Sequence, residues 1–206
     1  MNKTFNALFA ALLLAGSASA FAASSVDLTV KGTITPSACE PTLSAGGLVD
    51  YGKISAKDLN ADKPTHLGHQ YLQFTLICDA PTPVAIRAQD NRAGSSSESG
   101  GYFGLGMINT DEKLGAMTLM LQSPVADGVT VSTIGSLDNG STWANERSLW
   151  TDNIVAAAVP GTLTPIMLQQ FNADLRISPQ IAPANQLTLT NEAAIDGSVT
   201  LSVVYR

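Results

Sequence analysis

The sequence predicts an all-β fold, an antiparallel sandwich. Three observations carry that expectation. Apolar residues recur with period two in run after run, Gly, Pro, Asn and Ser separate the runs, and no stretch sustains a 3.6-residue period. The composition suits a packed domain: 45% of the 206 residues are apolar and 14% are charged, against roughly a quarter charged in an ordinary domain. A net charge of −6 offers no basic footprint for phosphate, so nucleic acid is not an expected partner.

Residues 1–22 read as a secretory signal peptide. Lys3 is the only charged side chain before Asp27, and the apolar run from Ala7 to Ala15 is short, where a membrane span needs roughly 20 residues. Small residues follow from Gly16 to Ala22, with Phe21 the one large exception. Ala18-Ser19-Ala20 and Ala20-Phe21-Ala22 both fit a cleavage site, and the second starts the mature chain at Ala23. The competing reading is an uncleaved anchor. Cleavage removes Lys3 and takes the net charge from −6 to −7. No later apolar run is long enough to span a bilayer as a helix, so the mature chain is expected to be exported with no membrane span.

Val26, Leu28, Val30, Gly32 and Ile34 share one face of the first expected strand. Leu72, Phe74, Leu76 and Cys78 share a face of the next, and Val84, Ile86 and Ala88 follow a Pro81-Thr82-Pro83 break. Met117, Leu119 and Leu121 alternate after Gly115; Val129, Val131 and Thr133 form a short run. The best helical candidate, Asn153 to Val159, is short and ended by Pro160. Phe171, Ala173, Leu175 and Ile177 alternate, Leu187 and Leu189 are brief, and Val199, Leu201, Val203 and Tyr205 close the chain.

Export gives the cysteines meaning. Cys39 and Cys78 are a single possible pair in an oxidising compartment, without the CxxC spacing of a redox site. A structural bridge between them closes a loop worth about 4 kcal/mol on the chain-entropy account; two free thiols are the alternative.

Two loops stand out. Ala93 to Gly106 is rich in Gly and Ser and is expected to be mobile. Ser136, Asp138, Gly140, Thr142 and Trp143 resemble an Asp box, the structural turn of sialidase propeller blades. A propeller repeats that box and this chain holds one copy, so the plainer reading is a capped hairpin at Asn139-Gly140.

Little in the chain points to catalysis. His66 and His69 could hold zinc only with a third ligand, for which Asp62 is the nearby choice; a solvated loop is the simpler reading. There is no GxSxG elbow, P-loop or Rossmann glycine pattern. Neither an enzyme nor a metal or other cofactor is expected. Trp143, Trp150, Tyr102 and Phe103 could stack on sugar rings, or pack locally.

The ends of the chain carry a sharper signal. Val26 to Cys39 reads VDLTVKGTITPSAC, Cys78 follows, Asp50-Tyr51-Gly52-Lys53-Ile54 lies between, and the chain closes on Val199 to Arg206 with Tyr205 penultimate. In order and spacing these resemble chaperone–usher fimbrial subunits, most closely a divergent branch of fimbrial-like periplasmic proteins. The stretch from about Ala88 to Gln170 matches common pilins poorly.

The resemblance implies an immunoglobulin-like sandwich lacking its last strand and completed by a donor strand. Residues 23–35 would be the donor-type segment and residues 36–206 the sandwich. Val26, Leu28, Val30, Gly32 and Ile34 would donate, and Val199, Leu201, Val203 and Tyr205 would form the acceptor edge. Partners would be a periplasmic chaperone, an outer-membrane usher and copies of itself or other fimbrial subunits. The protein would pass through the periplasm to a surface fimbria, or stay periplasmic if it does not polymerise. The alternative is a monomeric periplasmic or secreted binding module on the same sandwich, in which Val26 to Ile34 is an ordinary first strand.

Overall fold

A computed structural model describes residues 38–206. The predicted signal peptide and the expected strand with Val26, Leu28, Val30, Gly32 and Ile34 lie outside the described residues. Among the described residues the strands are β1 (Cys39–Leu43), β2 (Thr65–His66), β3 (Gln70–Asp90), β4 (Phe103–Gly104), β5 (Met107–Ile108), β6 (Glu112–Lys113) and β7 (Gly115–Ala126). They continue with β8 (Val129–Thr130), β9 (Ser132–Ser136), β10 (Ala144–Asn145), β11 (Ser148–Leu149), β12 (Ile154–Ala158), β13 (Met167–Ile181) and β14 (Val199–Tyr205). Every ladder between these strands is antiparallel. The fold is the expected all-β, immunoglobulin-like sandwich.

β3 organises it. The Pro81-Thr82-Pro83 break does not end the strand: β3 runs 21 residues and serves both layers. Its first half lies between β1 and β13, with β7 beyond. Its second half lies between β14 and β12, with β9 and β10 beyond. The inner faces meet in one core that includes Phe74, Leu76, Ile86, Leu121, Val155 and Phe171. Phe74 and Phe171 meet edge to face at 6.2 Å. The Cys39–Cys78 disulfide is present and joins β1 to β3 within the core.

Three segments correct the sequence reading. Asn153 to Val159 holds a strand, β12, all five of whose residues are buried. Val155 and Ala157 face the main core, while Ile154, Ala156 and Ala158 form a second small core with Ala85 and Ile134. A strand covered on both faces loses its alternation and reads as a plain apolar run. The Gly/Ser-rich segment 93–106 is built into the sandwich: Phe103 is fully buried on β4, and the Ser95 hydroxyl donates to the Arg92 carbonyl and accepts from the Gly106 N–H. A Cβ on Gly104 would overlap that hydroxyl. Leu187 and Leu189 form no strand; a 3-10 turn at Ala184–Gln186 leads into a run with bends at Leu187, Thr190 and Asn191 and no ladder. Val129 is exposed on the two-residue β8, beside a turn at Asp127 and Gly128, both with positive φ.

Candidate functional site: a groove between two strand edges

β1 and β14 lie along the same flank of β3 and meet end to end at its bend. The Asp79 N–H donates to the Ala38 carbonyl at 2.9 Å and the Arg206 N–H to the Pro83 carbonyl at 2.9 Å. At the junction the Cys39 N–H donates to the Tyr205 hydroxyl at 2.9 Å. From there the two strands diverge, β1 along one layer and β14 along the other.

Each of them pairs with β3 alone among the strands described. β14 alternates as the sequence predicted: Val199, Leu201 and Val203 pack against the main core, Thr200 and Ser202 face out, and Tyr205 is exposed. The three core-facing residues stay only half-buried, whereas Leu72, Phe74, Leu76 and Cys78 on β3 are buried. An apolar strand face left half-covered beside an unpaired edge is a surface that another strand can complete.

A cleft of about 710 Å³ lies between the segment that follows β1 and the run that precedes β14. One wall is the segment after β1, with Val49, Tyr51, Ile54 and Leu59; the other is the run before β14, with Leu189, Ala193 and Ile195. Asp50 shapes the first wall by accepting the Gly52 N–H at 2.7 Å, with Gly52 at a φ of +62° that glycine tolerates. Tyr51 reaches the Gly68 carbonyl, and partial burial raises its phenol above the usual range.

The second wall is held at its ends. The Thr188 N–H donates to Glu112 at 2.6 Å, a bond that holds that carboxyl below the usual range. Arg92 grips Asp196 with two bonds, at 2.7 and 2.8 Å, and holds its carboxyl low. Between these anchors residues 189–195 make no backbone hydrogen bond with any described residue. Lys53 and Glu192 pair across the cleft at 2.9 Å, but both are about nine-tenths exposed and contribute little.

The other singled-out residues lie elsewhere. His66, on β2, pairs with Gln180, and the His69 Nδ1 contacts the Ser178 hydroxyl at 2.8 Å, both along β13. No group of three potential metal ligands occurs among the described residues. The loop aromatics pack locally. Phe103 is core, Trp143 covers the second core, and Tyr102 lies on Trp150 with ring centres 5.5 Å apart. The Asp-box residues form a capped hairpin. Asp138 accepts Thr142 N–H at 2.8 Å, the Thr142 hydroxyl at 2.6 Å and the Ser136 hydroxyl at 2.7 Å, while Asn139 and Gly140 take positive φ. The run 189–195 was missed because one apolar residue in two, interrupted by Asn191, reads as loop.

No helix among the described residues is long and apolar enough to cross a membrane. Two curated relatives from Escherichia coli (strain K12) are similar along nearly the whole chain. "Uncharacterized protein YhcF" is 28% identical over 94% of this chain and 98% of its own length. "Protein GltF" is 26% identical over 99% of this chain and 98% of its own length. Residues 28–121, which include β1, β3 and the first wall of the cleft, match the family described as "Protein of unknown function (DUF1120)".

Proposed function

We propose that this protein is a non-catalytic structural subunit whose groove is filled by an extended strand. In assembly that strand is the Val26 to Ile34 segment of another copy, or of a related fimbrial subunit, delivered by a chaperone–usher route. The observation that carries the reading is β14: among the described residues it pairs on one side only, and Val199, Leu201 and Val203 are left half-buried. The period-two apolar residues Val26, Leu28, Val30 and Ile34 match what such a face needs. The resemblance of both chain ends to fimbrial subunits supports the same reading.

Connectivity bears on whose groove the segment fills. The outer flank of β3 is taken by β1 at residues 74–78 and by β14 at residues 84–90. An ordinary first strand therefore has no place on that flank beyond the bend, and β14 offers the edge. Ile34 precedes Cys39 by five residues, so it stays within about 17 Å of it. Cys39 is bonded to Tyr205, and Val199 is about 20 Å further along β14. A chain completing its own fold must run parallel to β14. A strand from a second copy is free to run antiparallel, the slightly more stable pairing.

The test is periplasmic export with a cognate chaperone and usher, for the intact chain and for one lacking Ser25 to Ile34, followed by unboiled, non-reducing electrophoresis. The expected result is a ladder from the intact chain and only chaperone-bound monomer from the truncation. A stable monomer that needs no chaperone would overturn the proposal and leave a self-completed sandwich.

A further inference from the structure

Arg87 follows Ala85 by two residues on β3, so it points to the side that carries the second small core. Its backbone is paired on both sides, with Ser202 of β14 and Ile154 of β12. Trp143, from the hairpin between β9 and β10, packs against the same core. Side chains fix the turn of that hairpin. The Gly140 N–H donates to the Ser136 hydroxyl at 2.7 Å, and the Asp138 carboxylate is taken up by Thr142 and Ser136. Arg206 reaches the turn from the end of β14. A Cβ on Gly140 would sit 2.7 Å from the Arg206 Cζ, so the glycine leaves the space in which that guanidinium lies.

Two cations thereby converge on one neutral atom. The Arg87 guanidinium donates to the Asn139 Oδ1 at 2.7 Å, and the Arg206 guanidinium donates to the same oxygen at 3.2 Å. Neither arginine forms an ion pair among the described residues. Asp138, next to Asn139 in the chain, spends its carboxylate on the turn instead. A guanidinium has five N–H donors; each of these places one on Asn139, and the rest have no partner among the described residues. One arginine is enough to hold the Asn139 amide. The second brings a like charge to the same spot, an arrangement that a shared anion relieves.

We propose that Arg87, Arg206 and the Asn139–Gly140 turn form a binding site for a phosphate group. Two guanidiniums arriving from different chain segments match its charge of about −1.5 to −2 and its three acceptor oxygens. A carboxylate, with a single charge, is satisfied by one guanidinium fork. The site does not rest on the assembly proposed above.

The test titrates the purified, nitrogen-15-labelled exported chain with inorganic phosphate and follows its amide NMR signals. Sodium chloride at matched ionic strength and sodium acetate are the controls. A second arm compares flotation with phosphatidic acid vesicles and with phosphatidylcholine vesicles. Saturable shifts at Asn139 and Gly140 with millimolar affinity are expected from phosphate, and weaker ones from acetate. Arg87→Gln and Arg206→Gln should each weaken binding about three- to tenfold, and the double variant should lose it. Arg206→Lys, which keeps the charge without the fork, should fall between Arg206→Gln and the parent. Both arginines are exposed, so unliganded melting temperatures should stay close to the parent's, which separates lost binding from lost folding. Binding in both arms supports a site open to a lipid headgroup; binding of inorganic phosphate alone supports a soluble phosphate. Shifts no larger than those with chloride, acetate binding as tight as phosphate, or undiminished binding in the double variant would each overturn the proposal.

Discussion

At the residue scale, single hydrogen bonds fix the junction of β1 with β14 and shape the acid behaviour of the molecule. Tyr205→Phe deletes the hydroxyl that accepts the Cys39 N–H and should cost about 1 kcal/mol. Urea unfolding should show a lower midpoint with the slope unchanged. Asp138 is held well below the usual carboxylate range, first by the Thr142 hydroxyl, then by the Thr142 N–H and the Ser136 hydroxyl. Its folded value lies below the unfolded value of about 3.9, so on acidification the unfolded chain takes up the proton first. The stabilisation is complete above about pH 5 and is progressively lost as pH falls below about 4. Asp138→Asn should therefore flatten the fall in melting temperature between pH 5 and pH 3. Some slope should remain, because the Thr188 N–H and Arg92 hold Glu112 and Asp196 low in the same way.

At the scale of elements, what could be read from the sequence follows how many faces a strand buries. β3, β7 and β13 bury one face over most of their length, and Phe74, Leu76, Leu119, Leu121, Phe171 and Leu175 stand where alternation placed them. β12 buries both faces, so its apolar run carries no period. Segment 93–106 looked like linker because Gly and Ser dominate its composition, yet Phe103 and Leu105 anchor it in the core. Of the groove, β14 was legible through its alternation. In the cleft, the Asp50–Ile54 stretch of the first wall stood out through the resemblance, whereas the second wall, 189–195, did not, because a segment without a ladder carries no pattern. Ala156 gives a direct check on β12. It lies in the second core and is 3% exposed, so Ala156→Leu should overpack the site and cost about 1–3 kcal/mol. Thermal melts should show the loss, with far-UV circular dichroism unchanged.

At the scale of the molecule, the disulfide does more than close a loop. It ties β1 to β3 close to the bend where β14 ends, so both edges of the groove are referred to one covalent point. Replacing both Cys39 and Cys78 by Ser should cost about 2–4 kcal/mol. Denaturant titration of the oxidised parent and the double variant measures the difference. The groove should suffer with it, because β1 has no other covalent hold on β3.

The sharing of β3 between the layers has a mechanical meaning. Tension drawn along a strand seated on β14 passes into β3 by shear across seven paired residues. It then runs down one continuous backbone and leaves through Cys78 and Cys39 into the N-terminal segment. β7, β12 and most of β13 lie off that line and carry little of the load. Stretched from its N-terminus in a force spectrometer, the oxidised chain should keep the 39-residue span between the cysteines coiled away. Reduction should release it as an extra length of about 14 nm.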